Sequence, residues 1–113
     1  MGIQAFAQMG NTVKLTAATT APTPVQCTGK TLGGNQYRVV NISSTVAYLG
    51  YGTDAATATA NAVIPTGAGA NSVFCLVLLG GTDEILSFVP NAYFTAKTAA
   101  GTADLFICPG DGL

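Results

Sequence analysis

The chain has 113 residues, of which 49% are hydrophobic, 8% are charged and none is histidine. An ordinary soluble domain carries about 25% charge; here Lys14, Lys30, Arg38 and Lys97 are scattered, which excludes the basic stripe that nucleic-acid binding requires. One domain over residues 1–113 is expected, of a size that buries roughly two-thirds of the surface its unfolded chain would expose.

Short runs rich in Val, Ile, Thr, Tyr and Phe recur along the chain, separated by Gly, Pro, Asn and Asp clusters. The first is "IQAFAQ" at residues 3–8, and residues 1–10 read as an N-terminal arm or an edge strand. The start, "MGIQAFAQMGN", lacks the basic region and long apolar core of a secretory signal, and position 6 is Phe6 where myristoylation calls for Ser or Thr. "TVKLTAA" comes next, with Val13 and Leu15 on one face and Thr12, Lys14 and Thr16 on the other, the period of a half-buried strand. "PVQCT" leads into "CTGKT", which mimics the tail of a phosphate-binding loop. The first glycine of that motif would fall at Pro24, so a solvated turn is expected.

"QYRVVNI" is apolar around Val39 and Val40, and Asn41-Ile42-Ser43 forms a glycosylation sequon that here signals only a polar strand end. "VAYLGYGTDAATATANA" sets Gly50-x-Gly52-x-x-Ala55 behind a strand, the outline of a dinucleotide-binding turn. The segment beyond the glycines allows at most nine helical residues before Pro65, and "PTGAGANSVF" has no acidic residue to hold a ribose. The glycines read instead as the end of a strand where a bulge or a neighbouring backbone comes close, and residues 53–72 as one long loop.

"VFCLVLL" is apolar on both faces, which places it centrally in a sandwich or beneath a partner subunit. It is too short for the ~18 apolar residues that span a bilayer. "EILSFV", "YFTAK" and "ADLFIC" complete nine runs, and "CPGDGL" reads as a turn that reverses the chain after the last strand. Together they predict an all-β fold, an antiparallel β-sandwich or jelly-roll-like barrel of about eight or nine short strands.

The chemistry-bearing inventory is thin. Cys27, Cys75 and Cys108 are widely spaced, form no C-x-x-C pair and lie in apolar runs, so they are expected to pack in the core rather than ligate a metal. Asp83 and Glu84 are adjacent, so on a strand they point to opposite faces and do not cooperate as acid and base. No catalytic, cofactor or metal site is expected.

From "NISSTVAYLGYG" through the Ala/Thr/Asn-rich segment ending in "VIP" to the closing "PGDG", about two-thirds of the chain resembles the small virion structural proteins of tailed bacteriophages. The likeness is greatest to head decoration, or cement, proteins. That resemblance implies a non-enzymatic β-sandwich made in a host bacterial cytoplasm and carried on the virion. Its partner would be the major capsid protein, whose neighbouring subunits it bridges, and it would itself be a homo-oligomer, with a trimer favoured. Neither nucleic acid nor membrane is an implied partner. Under this reading the arm and the long loop supply the contacts, with Ile3, Phe6, Tyr51, Asp54, Val63 and Ile64 as candidates. Two other roles fit a virion protein: a tail or fibre module recognising a receptor or glycan, and a tail-tube or connector subunit. The first usually needs exposed aromatics to stack on a sugar, and Tyr48 and Tyr51 are expected on opposite faces of one strand.

Overall fold

A computed structural model describes residues 7, 8, 10–27, 36–66 and 74–111. Among them the chain forms nine strands and one helix: β1 (Ala7–Gln8), β2 (Val13–Ala17), β3 (Val25–Gln26), β4 (Gln36–Asn41), β5 (Ala47–Gly52), α1 (Ala55–Asn61), β6 (Leu76–Leu78), β7 (Asp83–Ser87), β8 (Tyr93–Lys97) and β9 (Ala103–Asp111). They build a two-sheet sandwich. One sheet has five strands, in the order β1-β9-β4-β7 with β2 also on β9; the other has four, in the order β3-β8-β5-β6. All of these strand pairs are antiparallel.

The register explains the core. In β9 the alternate residues Ala103, Leu105 and Ile107 are buried, and β2 sets Ala17, Leu15 and Val13 opposite them. On the other flank of β9, Val39 pairs with Ile107 and Tyr37 with Pro109. The four-stranded sheet answers with Ala47, Leu49, Leu78, Phe94 and Ala96, all fully buried. The Tyr37 and Phe94 rings meet edge-on across the two sheets at 4.9 Å, the geometry that aromatic quadrupoles favour.

Two buried polar residues pin the sheets together. The Tyr37 hydroxyl donates to the Val89 carbonyl at 2.6 Å and accepts from the Ala92 amide at 3.1 Å, clamping the turn that contains Asn91, whose φ is 59°. Asn41, fully buried, donates to the carbonyls of Thr45 and Leu78 and accepts from the Ser43 amide and hydroxyl. It is therefore a bracket between the sheets and not the simple polar strand end that its sequon suggests.

Two further expectations change. The long loop at 53–72 begins with a helix, α1. "CPGD" is not a reversing turn: β9 runs on through Pro109 and Gly110, which pair with Tyr37 and Gln36 of β4. Pro109 falls where the opposite flank of β9 passes from β2, which ends its pairing at Ile107, to β1, which begins at Gly110; prolines are tolerated at such interruptions of a ladder. Of the two places open to "VFCLVLL", the central one is not taken among the described residues: the run supplies β6, which there pairs with β5 alone.

Candidate interaction surface

The helix that replaces the expected loop lies on the outer face of the four-stranded sheet, and the glycines of β5 explain how. Along β5 the residues Ala47, Leu49 and Tyr51 face the core, while Tyr48, Gly50 and Gly52 face outward. A β-carbon on Gly50 would lie 2.5 Å from the Ala58 carbonyl oxygen and 2.7 Å from the Ala62 Cα; one on Gly52 would lie 2.7 Å from the Thr57 Cβ. Only glycine lets the helix backbone sit this close. The pair that imitates a nucleotide fingerprint is the seat of a helix.

α1 has little else to hold it. Its seven residues contain no charge, and a helix this short is not stable alone in water. The Asp54 carboxylate caps it, accepting from the Thr57 amide at 2.7 Å, and this bond holds the Asp54 pKa below the ordinary carboxylate value. At the far end Asn61 donates to the Tyr51 carbonyl at 3.0 Å, and Ala58 and Ala62 are buried against the sheet.

The same side of the sandwich on which β6 and β7 form the two sheet edges is aromatic. The Tyr51 ring lies 4.9 Å from Phe88, 5.5 Å from Phe74 and 6.1 Å from Phe94. Phe94 is core, Phe88 is half-buried, and Phe74 is 62% exposed. Val77, outward on β6, and the following Leu79 are 46% and 60% exposed. None of residues 55–82 is charged, so this strip meets solvent without a formal charge of its own.

The five-stranded sheet presents a different outer face. Arg38 forks onto Asp83 through Nη2 at 2.6 Å and Nε at 3.1 Å, a diagonal pair between β4 and β7. Thr16 donates to Asp104 at 2.9 Å. A shallow depression of about 530 Å³ lies at the end of β4 and β7, lined by Val40, Asn41, Ile42, Gly81, Thr82, Asp83 and Glu84. Its polar side chains are already engaged or exposed, and no buried side-chain nitrogen or oxygen among the described residues lacks a hydrogen-bond partner.

For chemistry the described residues offer little. They contain no group of three or more His, Cys, Asp or Glu side chains placed to hold a metal ion. Cys27 is fully buried, and burial, with a smaller contribution from Cys108, pushes its pKa up to about 12; burial also raises that of Cys75. Neither thiol is activated. Of the three cysteines expected to pack in the core, Cys27 alone is fully buried: Cys75 and Cys108 are half-buried, and the Cys108 sulfur sits 3.4 Å from the Thr12 hydroxyl.

Of the contact residues expected from sequence, Ile3 and Phe6 lie outside the described residues. Tyr51 is half-buried on the inner face, Asp54 is the exposed cap of α1, Val63 is 37% exposed just beyond the helix, and Ile64 is half-buried. The structure does not gather these four into one patch: Tyr51 is on the opposite side of the sheet from α1, and Asp54 and Val63 flank a helix roughly 10 Å long. Tyr48 and Tyr51 face opposite sides of β5. Exposed Phe74, Val77 and Leu79 are not among the contact candidates expected from sequence, although they belong to "VFCLVLL", the run whose two apolar faces place it centrally or beneath a partner subunit. The part of the arm at Ala7–Gln8 is an edge strand of its own sheet, paired with Asp111 and Gly110.

No protein-family model matches the chain, and no curated protein sequence matches it. Among solved structures, a chain of the Bacillus endospore appendages, which form a family of disulfide-linked pili, is 15% identical, with a TM-score of 0.39 over 99% of this chain and 92% of that one.

Proposed function

We propose that this chain is a non-enzymatic virion structural protein that decorates a phage capsid and stabilises it by bridging neighbouring major capsid subunits. The observation that carries the reading is the uncharged segment 55–82, which sets exposed Val63, Phe74, Val77 and Leu79 on a two-sheet frame. Apolar side chains held on a rigid sheet lose little entropy on docking, and with no charge to desolvate such a surface suits a permanent contact between proteins. The resemblance of the second half to decoration proteins supplies the capsid as partner, and the homo-oligomer, with it.

The test is cosedimentation with expanded, undecorated heads, run beside binding to intact host cells. Saturable uptake by heads is expected. Binding to cells alone would replace cementing with a tail or fibre role in recognising a receptor or glycan, and binding to neither would remove both. The arm is tested separately by deleting residues 1–6, which spares β1: loss of head binding with an unchanged melting temperature is expected, and undiminished binding would exclude the arm as a contact.

A further inference from the structure

The structure narrows one reading of "VFCLVLL". A run that is apolar on both faces is either central in a sheet or covered by another subunit, and β6 is not central. Among the described residues it pairs with β5 on one side only, yet its outward residue Val77 and the following Leu79 are apolar and exposed. Its inward residue Leu76 packs against the core but is only partly buried, and Phe74 lies against the Tyr51 ring.

Two of the other edges carry devices that keep sheets from pairing. Asp83 and Glu84 guard β7, and Asp83 is tied to Arg38. β3 is two residues long and comes directly after Pro24. β6 and its flanking residues 73–79 have neither charge nor proline.

We propose that β6 is a strand-pairing interface for a second copy of this chain, joined antiparallel about a two-fold axis at Val77 to make one continuous eight-stranded sheet. Charge and symmetry select the occupant. A two-fold contact sets each side chain against its own kind or its mirror position, so any charge in the strip would meet a like charge; this strip has none to repel its copy. About Val77, Leu76 faces the partner's Leu78 on the inner side. That pairing extends the hydrophobic layer of each sandwich across the join and covers the rest of partly buried Leu76. The contact makes an even-numbered assembly and so departs from the trimer that the family resemblance implies. It does not depend on the capsid reading, because it can be measured with the purified chain alone.

The test is the mass in solution by light scattering, at concentrations up to about 100 μM, where a dimer with a Kd of about 100 μM or tighter is seen. The expected mass is twice that of the 11.3 kDa chain. Val77→Lys places two ammonium groups opposite each other and should return the monomer mass with an unchanged circular dichroism spectrum, since the position is exposed. Ile42→Lys, at a site 59% exposed outside the strip, should leave the dimer intact. A Val77→Cys variant with Cys75→Ser and Cys108→Ser should form an intermolecular disulfide on mild oxidation, because directly opposed strand residues have Cα atoms about 4.5–5.5 Å apart, within disulfide range. A monomeric or trimeric wild type, a dimer that survives Val77→Lys, or a dimer in which the Val77→Cys thiols fail to join would each overturn the proposal.

Discussion

Replacing Gly50 with alanine tests the claim that α1 is seated on bare backbone. The new methyl would meet the Ala62 amide nitrogen, the Ala58 carbonyl oxygen at 2.5 Å and the Ala62 Cα at 2.7 Å, all main-chain atoms that no rotamer change can move. Restoring ordinary contact near 3.5 Å requires α1 to lift by about 1 Å. Overpacking of this kind costs about 1–3 kcal/mol, and losing the Asn61 bond to the Tyr51 carbonyl adds about 1 kcal/mol. Removing glycine from a strand interior returns about 0.5–1 kcal/mol. The net expectation is a loss of about 1–3.5 kcal/mol, a fall in melting temperature of roughly 5–25 °C for a domain of this size. Urea titration monitored by circular dichroism gives the free energy directly. Gly81→Ala is the control: nothing lies within 4 Å of its added carbon, and only its φ of 74° opposes the change, so about 1–2 kcal/mol is expected from left-handed backbone strain alone. A Gly50→Ala protein within about 0.5 kcal/mol of wild type would refute the close-approach argument, because a change that small is typical of an unconstrained surface site.

Tyr37→Phe should lower stability by about 1–3 kcal/mol, since it leaves the Val89 carbonyl and the Ala92 amide without their shared partner in a part-buried turn; an unchanged urea midpoint would deny the hydroxyl its bracing role. The Cys27 thiol sets an alkaline limit. Its folded pKa, near 12, lies above its ordinary value of 9.0, so the folded state retains a proton that the unfolded chain has lost. The stabilisation is complete below pH 9 and is lost as pH rises from 9 toward 12. Tyr37, also raised by burial from 10.0, works in the same direction. Cys27→Ala, whatever it costs at pH 7, should therefore lose stability less steeply than wild type between about pH 9 and pH 11; parallel slopes would show that Cys27 does not titrate as the buried thiol described.

Each of the nine apolar runs contains a strand because the signals are local. Alternation in "TVKLT" and turn residues such as "GGTDE" depend on near neighbours, and tertiary packing reinforces them. The misreadings have a common cause: they concern what covers a strand, which is long-range information. "DAATATAN" reads as loop because its intrinsic helix length is marginal, and only the bare backbone of Gly50 and Gly52, together with the Asp54 cap, makes a seven-residue helix worth forming. Pro109-Gly110 reads as a turn because proline ends most strands, and the exception rests on where β2 gives way to β1 on the far flank of β9. The sequon of Asn41 speaks only of its near neighbours, whereas its four hydrogen bonds reach Ser43, Thr45 and the distant Leu78. Of the surface residues, the burial of Tyr51 beneath Phe74 and Phe88 cannot be read from β5 alone.

The distribution of charge ties the two halves of the uncharged segment together. Residues 55–61 lie on a sheet of their own molecule through buried Ala58, where a long charged side chain would not fit, and their exposed positions carry no charge either. Residues 74–79 carry the same freedom from charge to a strand that has no second neighbour among the described residues. A segment that needed only to stay soluble would carry lysine or glutamate at exposed sites such as Phe74, Val77 and Leu79, because edge strands are ordinarily guarded in that way. Neighbouring β7, joined to β6 by a short connection, is guarded by Asp83 and Glu84. Bare β6 beside guarded β7 is therefore a property of that strand and not of a chain poor in charge throughout, and under the proposed pairing it is this contrast that would direct a second copy to one sheet edge of the sandwich and away from the other.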